Sequence, residues 1–221
     1  MKKDIVSSLL KEGMVINTKL SSNNVWIQNI LYKVENHSLS IALLSSYLEN
    51  IVMIGQSLHI KYANEHTEYL FEGEITHIKP EFPSYITVNI TSIKELKNIR
   101  VFPRQDVYLA SNIRILDPVR EYFAIIHNIS LVGMAFYCKD ILEPAQTQLE
   151  IFIYLPSKQT ITAKGKIIRR VFKNDDIIDY GIQYTDMQEE NNNSLSNFFN
   201  SIEEEKNNLR NEFITCIKKH L

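Results

Sequence analysis

Short runs rich in Val, Ile, Tyr and Thr, in which apolar and polar positions partly alternate, dominate the chain. This pattern is typical of β-strands. In the first half of the chain the predicted strands cover residues 15–20, 25–34, 38–44, 57–63, 67–79 and 85–90. Polar clusters separate them, such as residues 21–24 and 35–37. Short strands at a spacing of about ten residues predict a small barrel or sandwich.

A second series of similar runs predicts strands at residues 107–115, 121–128, 133–138, 148–155, 160–172 and 177–185. Segment 91–106 breaks the pattern, carries four basic residues and is interpreted as a linker. We therefore expect a mainly β protein, with two small antiparallel β-barrels in tandem and a C-terminal α-helix. The expected domains are residues 1–95 and 107–221, joined by an arginine-bearing linker at 96–106.

The period of the pattern changes after Asp186. This residue, followed by Glu189 three positions later, has the form of a helix N-cap. Apolar residues then recur at helical spacing and predict an amphipathic helix, namely Leu195, Phe198, Ile202, Leu209, Phe213 and Ile217. The asparagines at 191–193 are expected to weaken it. This stripe could pack on the chain's own barrel, or it could form a surface for self-association or for a partner.

Charge and composition narrow the classes of function. With 24 basic and 26 acidic residues the net charge is -2, so no broad attraction to nucleic acid or to an acidic membrane is expected. No run approaches the roughly 18 consecutive apolar residues of a membrane span, and we expect a soluble, cytoplasmic protein. The two cysteines lack metal-ligand spacing. Neither paired carboxylates nor a nucleophile–base arrangement is found, so we expect no enzyme, metal site or cofactor.

Two short motifs carry the candidate chemistry: Arg100-Val-Phe-Pro-Arg104 and Asn128-Ile-Ser130-Leu-Val-Gly133. Guanidinium groups bind phosphate oxygens and the O6/N7 edge of guanine, and Asn and Ser add short hydrogen bonds. Arg104 precedes one predicted strand and Asn128 ends the next. In an antiparallel meander these positions lie at the same end, so the motifs are expected to converge on one anion. Ser130 and Gly133 also suit a purely structural turn.

Two further residues are interpreted from their strands. If Ile167 faces the barrel interior, Arg169 shares its side and reaches the rim near the ligand, while Arg170 faces solvent. An ordinary exposed arginine is the alternative for Arg169. Trp26 is interpreted as a core residue of the first barrel.

R-x-x-x-R followed by [D/N]-x-S-x-x-G resembles the signature of the PilZ family, bacterial receptors for cyclic di-GMP. Residues 100–190 resemble a PilZ domain throughout, including the stretch Asp179-Tyr-Gly-Ile-Gln-Tyr184 before the helix. Residues 1–95 resemble the N-terminal β-barrel of the flagellar-brake subclass. One difference is that many relatives carry a double arginine, whereas Ile99 precedes Arg100 here. Whether one or two cyclic di-GMP molecules bind stays open.

The resemblance implies a cyclic di-GMP receptor, with the nucleotide as ligand and no cofactor. The implied ligand-binding residues are Arg100, Arg104, Asn128, Ser130, Gly133 and Arg169. Binding is expected to change the domain arrangement and to regulate flagellar motility through a protein partner such as a motor or stator component. An adaptor with weak or no nucleotide binding is the first alternative, and an oligonucleotide-binding barrel with aromatic platforms is the second. The oligomeric state stays open.

Overall fold

The computed structural model describes residues 5–22, 25–43, 52–63, 67–97, 102–116, 119–142, 148–174 and 176–221. The chain forms two compact units, one of Met1–Ile99 with Glu203–Leu221 and one of Arg100–Ile202. Each contains a closed, six-stranded antiparallel barrel, which confirms the predicted fold class. The predicted domain bounds 1–95, 96–106 and 107–221 stay a prediction.

The first unit begins with a short helix, α1, at Ile5–Leu9. Its strands are β1 (Val15–Leu20), β2 (Ile27–Glu35), β3 (Ser38–Ala42), β4 (Ser57–Ala63), β5 (Thr67–Lys79) and β6 (Tyr85–Lys97). They close in the order β1-β2-β3-β6-β5-β4. In β1 alternate residues are buried, namely Ile16, Thr18 and Leu20.

Strand β6 is longer than the sequence pattern indicated. It continues to Lys97, so the prediction that the strand pattern ends at residue 90 is wrong. The extension pairs with β5 as far as Thr67, and Ile93 packs against the barrel core opposite Phe71. Its other side chains are mostly polar, which hides the strand in the sequence. Residues 98–101, with Ile99 and Arg100, lie outside the described residues.

Trp26 does not belong to the core of the first barrel, contrary to the prediction. It is half-buried, and the ammonium groups of Lys19 and Lys61 lie 5.2 and 4.6 Å from its ring centroid. Two cations over an aromatic ring are a favourable arrangement at a protein surface. The contacts with Lys19 and Lys61 thus account for the half-buried position of Trp26.

The second unit has strands β7 (Gln105–Leu116), β8 (Val119–Ser130), β9 (Gly133–Cys138), β10 (Leu149–Tyr154), β11 (Thr160–Asn174) and β12 (Ile177–Asp186). They close in the order β10-β11-β12-β9-β8-β7. Phe136 and Tyr180 stack inside this barrel with ring centroids 5.3 Å apart. The Tyr180 hydroxyl accepts a hydrogen bond from the backbone N–H of Leu142 and donates one to the carbonyl of Asp140, at 2.8 and 3.1 Å.

A long helix, α2, spans Glu189–Glu212 and continues as a π-helical turn at Phe213–Ile217 and a 3-10 turn at Lys218–His220. The predicted N-cap is wrong, because Asp186 is the last residue of β12. The asparagine run does not interrupt the helix. Instead, Asn191 Oδ1 accepts a hydrogen bond of 3.0 Å from the backbone N–H of Thr162, which ties α2 to β11. In the described residues no helix is both long and apolar enough to cross a membrane.

The apolar stripe of the C-terminal helix packs within the chain. This is the first of the two possibilities, packing on the chain itself or a surface for another chain, that its pattern left open. Leu195 is fully buried in the core of the second barrel, and Phe198 packs against that core. Further along, Phe213 and Ile217 are buried against a separate cluster of the first unit, formed by Ile30, Tyr32 and Ala42. The ring of Phe213 stacks on Tyr32 with a centroid distance of 5.8 Å.

Phe213→Ala is expected to destabilise the first unit by about 3 kcal/mol or more, because it leaves a cavity beside Tyr32. The single tryptophan, Trp26, lies in this unit, so urea denaturation followed by its fluorescence measures the effect. Ile214→Ala is the control, since Ile214 is 61% exposed. Equal midpoints for the two variants would contradict the packing of the helix on the first unit.

Candidate ligand-binding site

The strand register of the second barrel places two predicted site residues in one row. Asp106 pairs with Asn128, Asn128 with Ala135, Ala135 with Gly181, and Gly181 with Arg169. Residues directly opposite each other on neighbouring strands point to the same face of a sheet. The row therefore crosses β7, β8, β9, β12 and β11 on a single face.

This face is the outer side of the barrel. The neighbours of the row along the strands, Met134, Phe136, Tyr180 and Ile182, belong to the core cluster, and side chains alternate between faces. Asn128 and Arg169 are separated by three strand spacings, or about 14 Å. Only the small residues Ala135 and Gly181 lie between them. No large side chain therefore projects from the middle of the row.

Two β-bulges decide which side chains reach this face. Strand β8 has an extra residue, His127, between Ile126 and Asn128, relative to β9. Strand β11 has an extra residue, Ile168, between Ile167 and Arg169, relative to β12. An extra residue reverses the alternation beyond it and re-aims the side chains that follow.

The prediction that Arg169 shares the side of Ile167 is therefore wrong. Ile167 pairs with Ile182 and packs against the core, whereas Arg169 pairs with Gly181 and lies on the outer face. Arg170 is exposed, as predicted, and its guanidinium lies 5.5 Å from the centroid of Phe172.

A buried carboxylate, Asp179 of β12, organises the charges beside the row. Its side chain is 4% exposed. Its Oδ1 accepts a hydrogen bond from Arg169 Nη2 at 3.0 Å and lies 3.2 Å from His127 Nε2. Its Oδ2 lies 3.6 Å from Lys173 Nζ. His127 in turn stacks on Tyr137 with a centroid distance of 4.3 Å, so four strands contribute to this cluster.

The cluster shifts the pKa values of its members. Burial raises the pKa of Asp179, but the hydrogen bond to His127 and the charges of His127, Arg169 and Lys173 outweigh it. The net result is that the pKa of this carboxyl lies below its ordinary value. Burial and the Asp179 charge raise the pKa of Tyr137, although Arg169 acts in the opposite direction.

The other end of the row contains Asp106 and Asn128, and Arg104 comes two residues before Asp106 in the chain. Arg104 is exposed and comes directly before β7, while Asn128 Nδ2 donates a hydrogen bond of 3.2 Å to Asp106 Oδ1. The expectation that the start of β7 meets the end of β8 is confirmed by this pairing. Asn128 Oδ1 is buried, and no hydrogen-bond partner for it occurs among the residues that the structure describes.

Ser130 and Gly133 form the tight turn between β8 and β9. The buried Ser130 hydroxyl donates to the carbonyl of Gly133 at 3.0 Å and accepts from the backbone N–H of Val132 at 3.4 Å. A Cβ at position 133 would lie 2.2 Å from the carbonyl oxygen of Ile182, so only glycine allows this approach of β12. Both residues have a structural role here, and their contact with a ligand stays a proposal.

Sequence reasoning did not identify His127, Tyr137 and Asp179 as site residues. One signal was available, because Asp179 is a carboxylate within the apolar run 177–182. A charged residue in such a strand indicates a buried partner or a functional site. His127 and Tyr137 carry no comparable signal, since their contacts depend on a bulge. Over the described residues, no group of three or more His, Cys, Asp or Glu could hold a metal ion.

Comparison with known protein families identifies this barrel. Residues 98–201 match the family model described as PilZ domain. These residues form a PilZ domain, which confirms the resemblance based on the two motifs. PilZ proteins are nucleotide-binding receptors and effectors rather than enzymes. No match was found among curated protein sequences.

Several solved structures are similar to the whole chain. The inhibitor of motility MotI/DgrA of Bacillus subtilis is 16% identical, with a TM-score of 0.43, and the match covers 90% of this chain and 99% of that one. YcgR of Escherichia coli in complex with c-di-GMP is 13% identical, with a TM-score of 0.47 and coverages of 96% and 91%. PlzA of Borreliella burgdorferi in complex with c-di-GMP is 12% identical, with a TM-score of 0.34 and coverages of 90% and 92%. Because these TM-scores are below 0.5, the family assignment rests on the PilZ match.

Asp179→Asn is expected to lower the stability of the second unit near neutral pH by about 1–3 kcal/mol, because it removes a buried, hydrogen-bonded charge. The folded-state pKa of Asp179 is lowered, so its contribution is present above the pKa of the unfolded state and is lost as the pH falls through the folded-state value. Urea denaturation followed by circular dichroism between about pH 7 and pH 3 should therefore show a difference that narrows in acid.

Asp186→Asn is the control for this experiment, because Asp186 is 64% exposed and has only a 3.9 Å contact with Lys164. A difference between the wild type and Asp179→Asn that stays constant, or grows, as the pH falls would contradict the proposed ionisation of Asp179.

Proposed function

We propose that this protein is a receptor that binds cyclic di-GMP on the outer face of its PilZ barrel and does not alter it chemically. The observation that carries the proposal is the row from Asp106 to Arg169, which brings Asn128 and Arg169 to one face beside the start of β7, where Arg104 lies. All of these residues lie within the PilZ match.

The charges of the site suit a nucleotide with two phosphodiester groups. Arg169 and Lys173 share one carboxylate, Asp179, so the Asp179 cluster has two cationic side chains for one buried acid. Arg104 supplies a further exposed guanidinium at the other end. Such groups bind phosphate oxygens and the guanine O6/N7 edge in forked geometry. The proposed ligand-binding set is Arg100, Arg104, Asn128, Ser130, Gly133 and Arg169.

The members of this set have different proposed roles. The arginines contact phosphate or guanine, and Asn128 binds a base edge or holds Asp106 in place. Ser130 and Gly133 fix the turn that ends β8, and through it the position of Asn128. We expect substitutions of the arginines to affect binding more strongly than substitution of Ser130.

Binding is proposed to change the arrangement of the domains and thereby to regulate flagellar motility, or a related surface behaviour, through a protein partner such as a motor or stator component. The connection between β6 and β7 supports this proposal, because Arg100 and Arg104 both belong to it. A ligand shifts a conformational equilibrium only through its different affinity for the two states, and arginines on a connection can provide that difference. The receptor is proposed to act in the cytoplasm.

A second candidate is an adaptor with weak or no nucleotide binding. It is favoured by two observations, since Arg169 is already paired with Asp179 and the Ser130 hydroxyl is used within its turn. Titration calorimetry of the full chain with cyclic di-GMP separates the candidates, with linear pGpG and GTP as controls. Saturable binding of cyclic di-GMP supports the receptor, and its absence supports the adaptor.

Arg104→Ala is expected to weaken cyclic di-GMP binding by about 2–5 kcal/mol, because a charge-assisted contact with the ligand is lost. Arg100→Ala should act in the same direction. The control is Arg114→Ala, which removes an arginine of the same barrel that pairs with Glu121 and Glu150. The measurement is calorimetry, with circular dichroism to verify folding. An unchanged affinity in a folded Arg104→Ala protein would contradict the site.

Saturating cyclic di-GMP is expected to change the distance between labels on the two barrels and to slow hydrogen exchange of the amides in 95–106. The physical reason is that closure of the arginines on a multivalent anion orders the segment that carries them. Arg104→Ala at the same ligand concentration is the control and should show neither change. Tight binding with no response in distance or exchange would overturn the proposed rearrangement.

A further inference from the structure

Asp179 lies next to the proposed site but belongs to none of its motifs. We propose that it is a positioning residue, which holds the Arg169 guanidinium on the outer face so that its remaining donors can receive the nucleotide, without itself touching the ligand. This inference rests on the proposed function. It concerns the same site and adds Asp179, the carboxylate on which the position of Arg169 depends.

The exposure of Asp179 and of Arg169 indicates which of the two side chains a ligand contacts. The Asp179 side chain is 4% exposed, whereas that of Arg169 is 50% exposed. A ligand on the outer face therefore reaches the guanidinium rather than the carboxylate. In the described part of the chain, Arg169 makes a single side-chain hydrogen bond, from Nη2 to Asp179 Oδ1. A guanidinium has five N–H donors, so most of its donor capacity is left for an anion or a base edge.

The aliphatic part of the Arg169 side chain is positioned by a neighbour, as its guanidinium is. A Cβ placed on Gly181 would lie 3.2 Å from Arg169 Cβ and 3.4 Å from Nε, so the arginine side chain lies across this glycine. Gly181 is the neighbour of Arg169 in the row that leads to Asn128. An arginine held at both ends loses less conformational entropy when a ligand binds, and pre-organisation of this kind raises affinity.

Asp179 itself is held by two further groups. His127 lies 3.2 Å from Oδ1 and Lys173 lies 3.6 Å from Oδ2, on opposite oxygens of the carboxylate. His127 is in turn restrained by its stacking on Tyr137. The carboxylate therefore has a defined orientation, which it passes on to Arg169. Because Arg169 and Lys173 together outnumber its single charge, Asp179 does not make the cluster repel an anion.

A double-mutant cycle tests whether Asp179 acts through Arg169. Cyclic di-GMP affinity is measured by calorimetry on the full chain for the wild type, Asp179→Ala, Arg169→Ala and the double variant. We expect each single substitution to weaken binding about tenfold or more, and the double variant to bind within about twofold of Arg169→Ala. A loss from Asp179→Ala that persists undiminished in the Arg169→Ala background would overturn the inference, as would a folded Asp179→Ala protein with unchanged affinity.

The control is Glu150→Ala. Glu150 Oε2 accepts a hydrogen bond of 3.0 Å from Arg114 Nη1, the same distance as in the Asp179–Arg169 pair, but this pair lies outside the row. The Glu150→Ala protein is expected to bind cyclic di-GMP with the affinity of the wild type. A loss comparable to that of Asp179→Ala would overturn a specific role for Asp179. Should Asp179→Ala fail to fold, Asp179→Asn replaces it in the same cycle with the same criterion.

Binding measurements distinguish a failure of the proposed receptor function from a failure of the positioning role of Asp179. No binding of cyclic di-GMP by the wild type would overturn the proposed function and this inference with it. Binding that is lost in Arg104→Ala, together with additive losses from Asp179 and Arg169, would leave the proposed function in place and overturn only the positioning role.

Discussion

Strand register is the constraint on which the proposed site depends. One face of each strand in the second barrel must be apolar, so a slip by one residue would move the whole core set to the outside. The core residues Phe136, Tyr180 and Ile182 fix the register of β9 and β12, and thereby the place of Ala135 and Gly181. Bulges on β8 and β11 then bring Asn128 and Arg169 to the outer face without disturbing that core.

The Asp179 cluster combines stability with the recognition that we propose for it. Burying a carboxylate is costly unless it is hydrogen-bonded and paired, and here three cationic or donor groups surround it. Arg169 and Lys173 are about half exposed, which weakens their attraction to Asp179 through solvent screening. The same exposure leaves them accessible. A cluster with a buried acceptor and exposed donors thus restrains the barrel, and in the proposed receptor it also offers its donors to an anion.

The sequence predicted the fold more completely than the site. Strands and the helical stripe follow from the repeat of apolar residues, as Ile16 and Leu20 or Leu195 and Phe198 illustrate. The motifs also placed Arg104 and Asn128 correctly at the meeting point of β7 and β8. The face of Arg169 was not predictable, because a bulge depends on tertiary pairing and leaves no periodic signal. The contact of Asp179 with His127 links residues 52 positions apart in sequence, so no local pattern indicates it.

The bulge at Ile168 gives β11 one residue that neither the barrel core nor the outer face requires. Ile168 is 58% exposed, and many side chains can occupy such a position without affecting the core. In a regular strand the residue after the inward-facing Ile167 points outward, so deletion of Ile168 would leave Arg169 opposite Gly181 on the outer face. The loss of this residue in a related sequence is therefore a weaker indication of altered ligand recognition than a replacement of Arg169 itself.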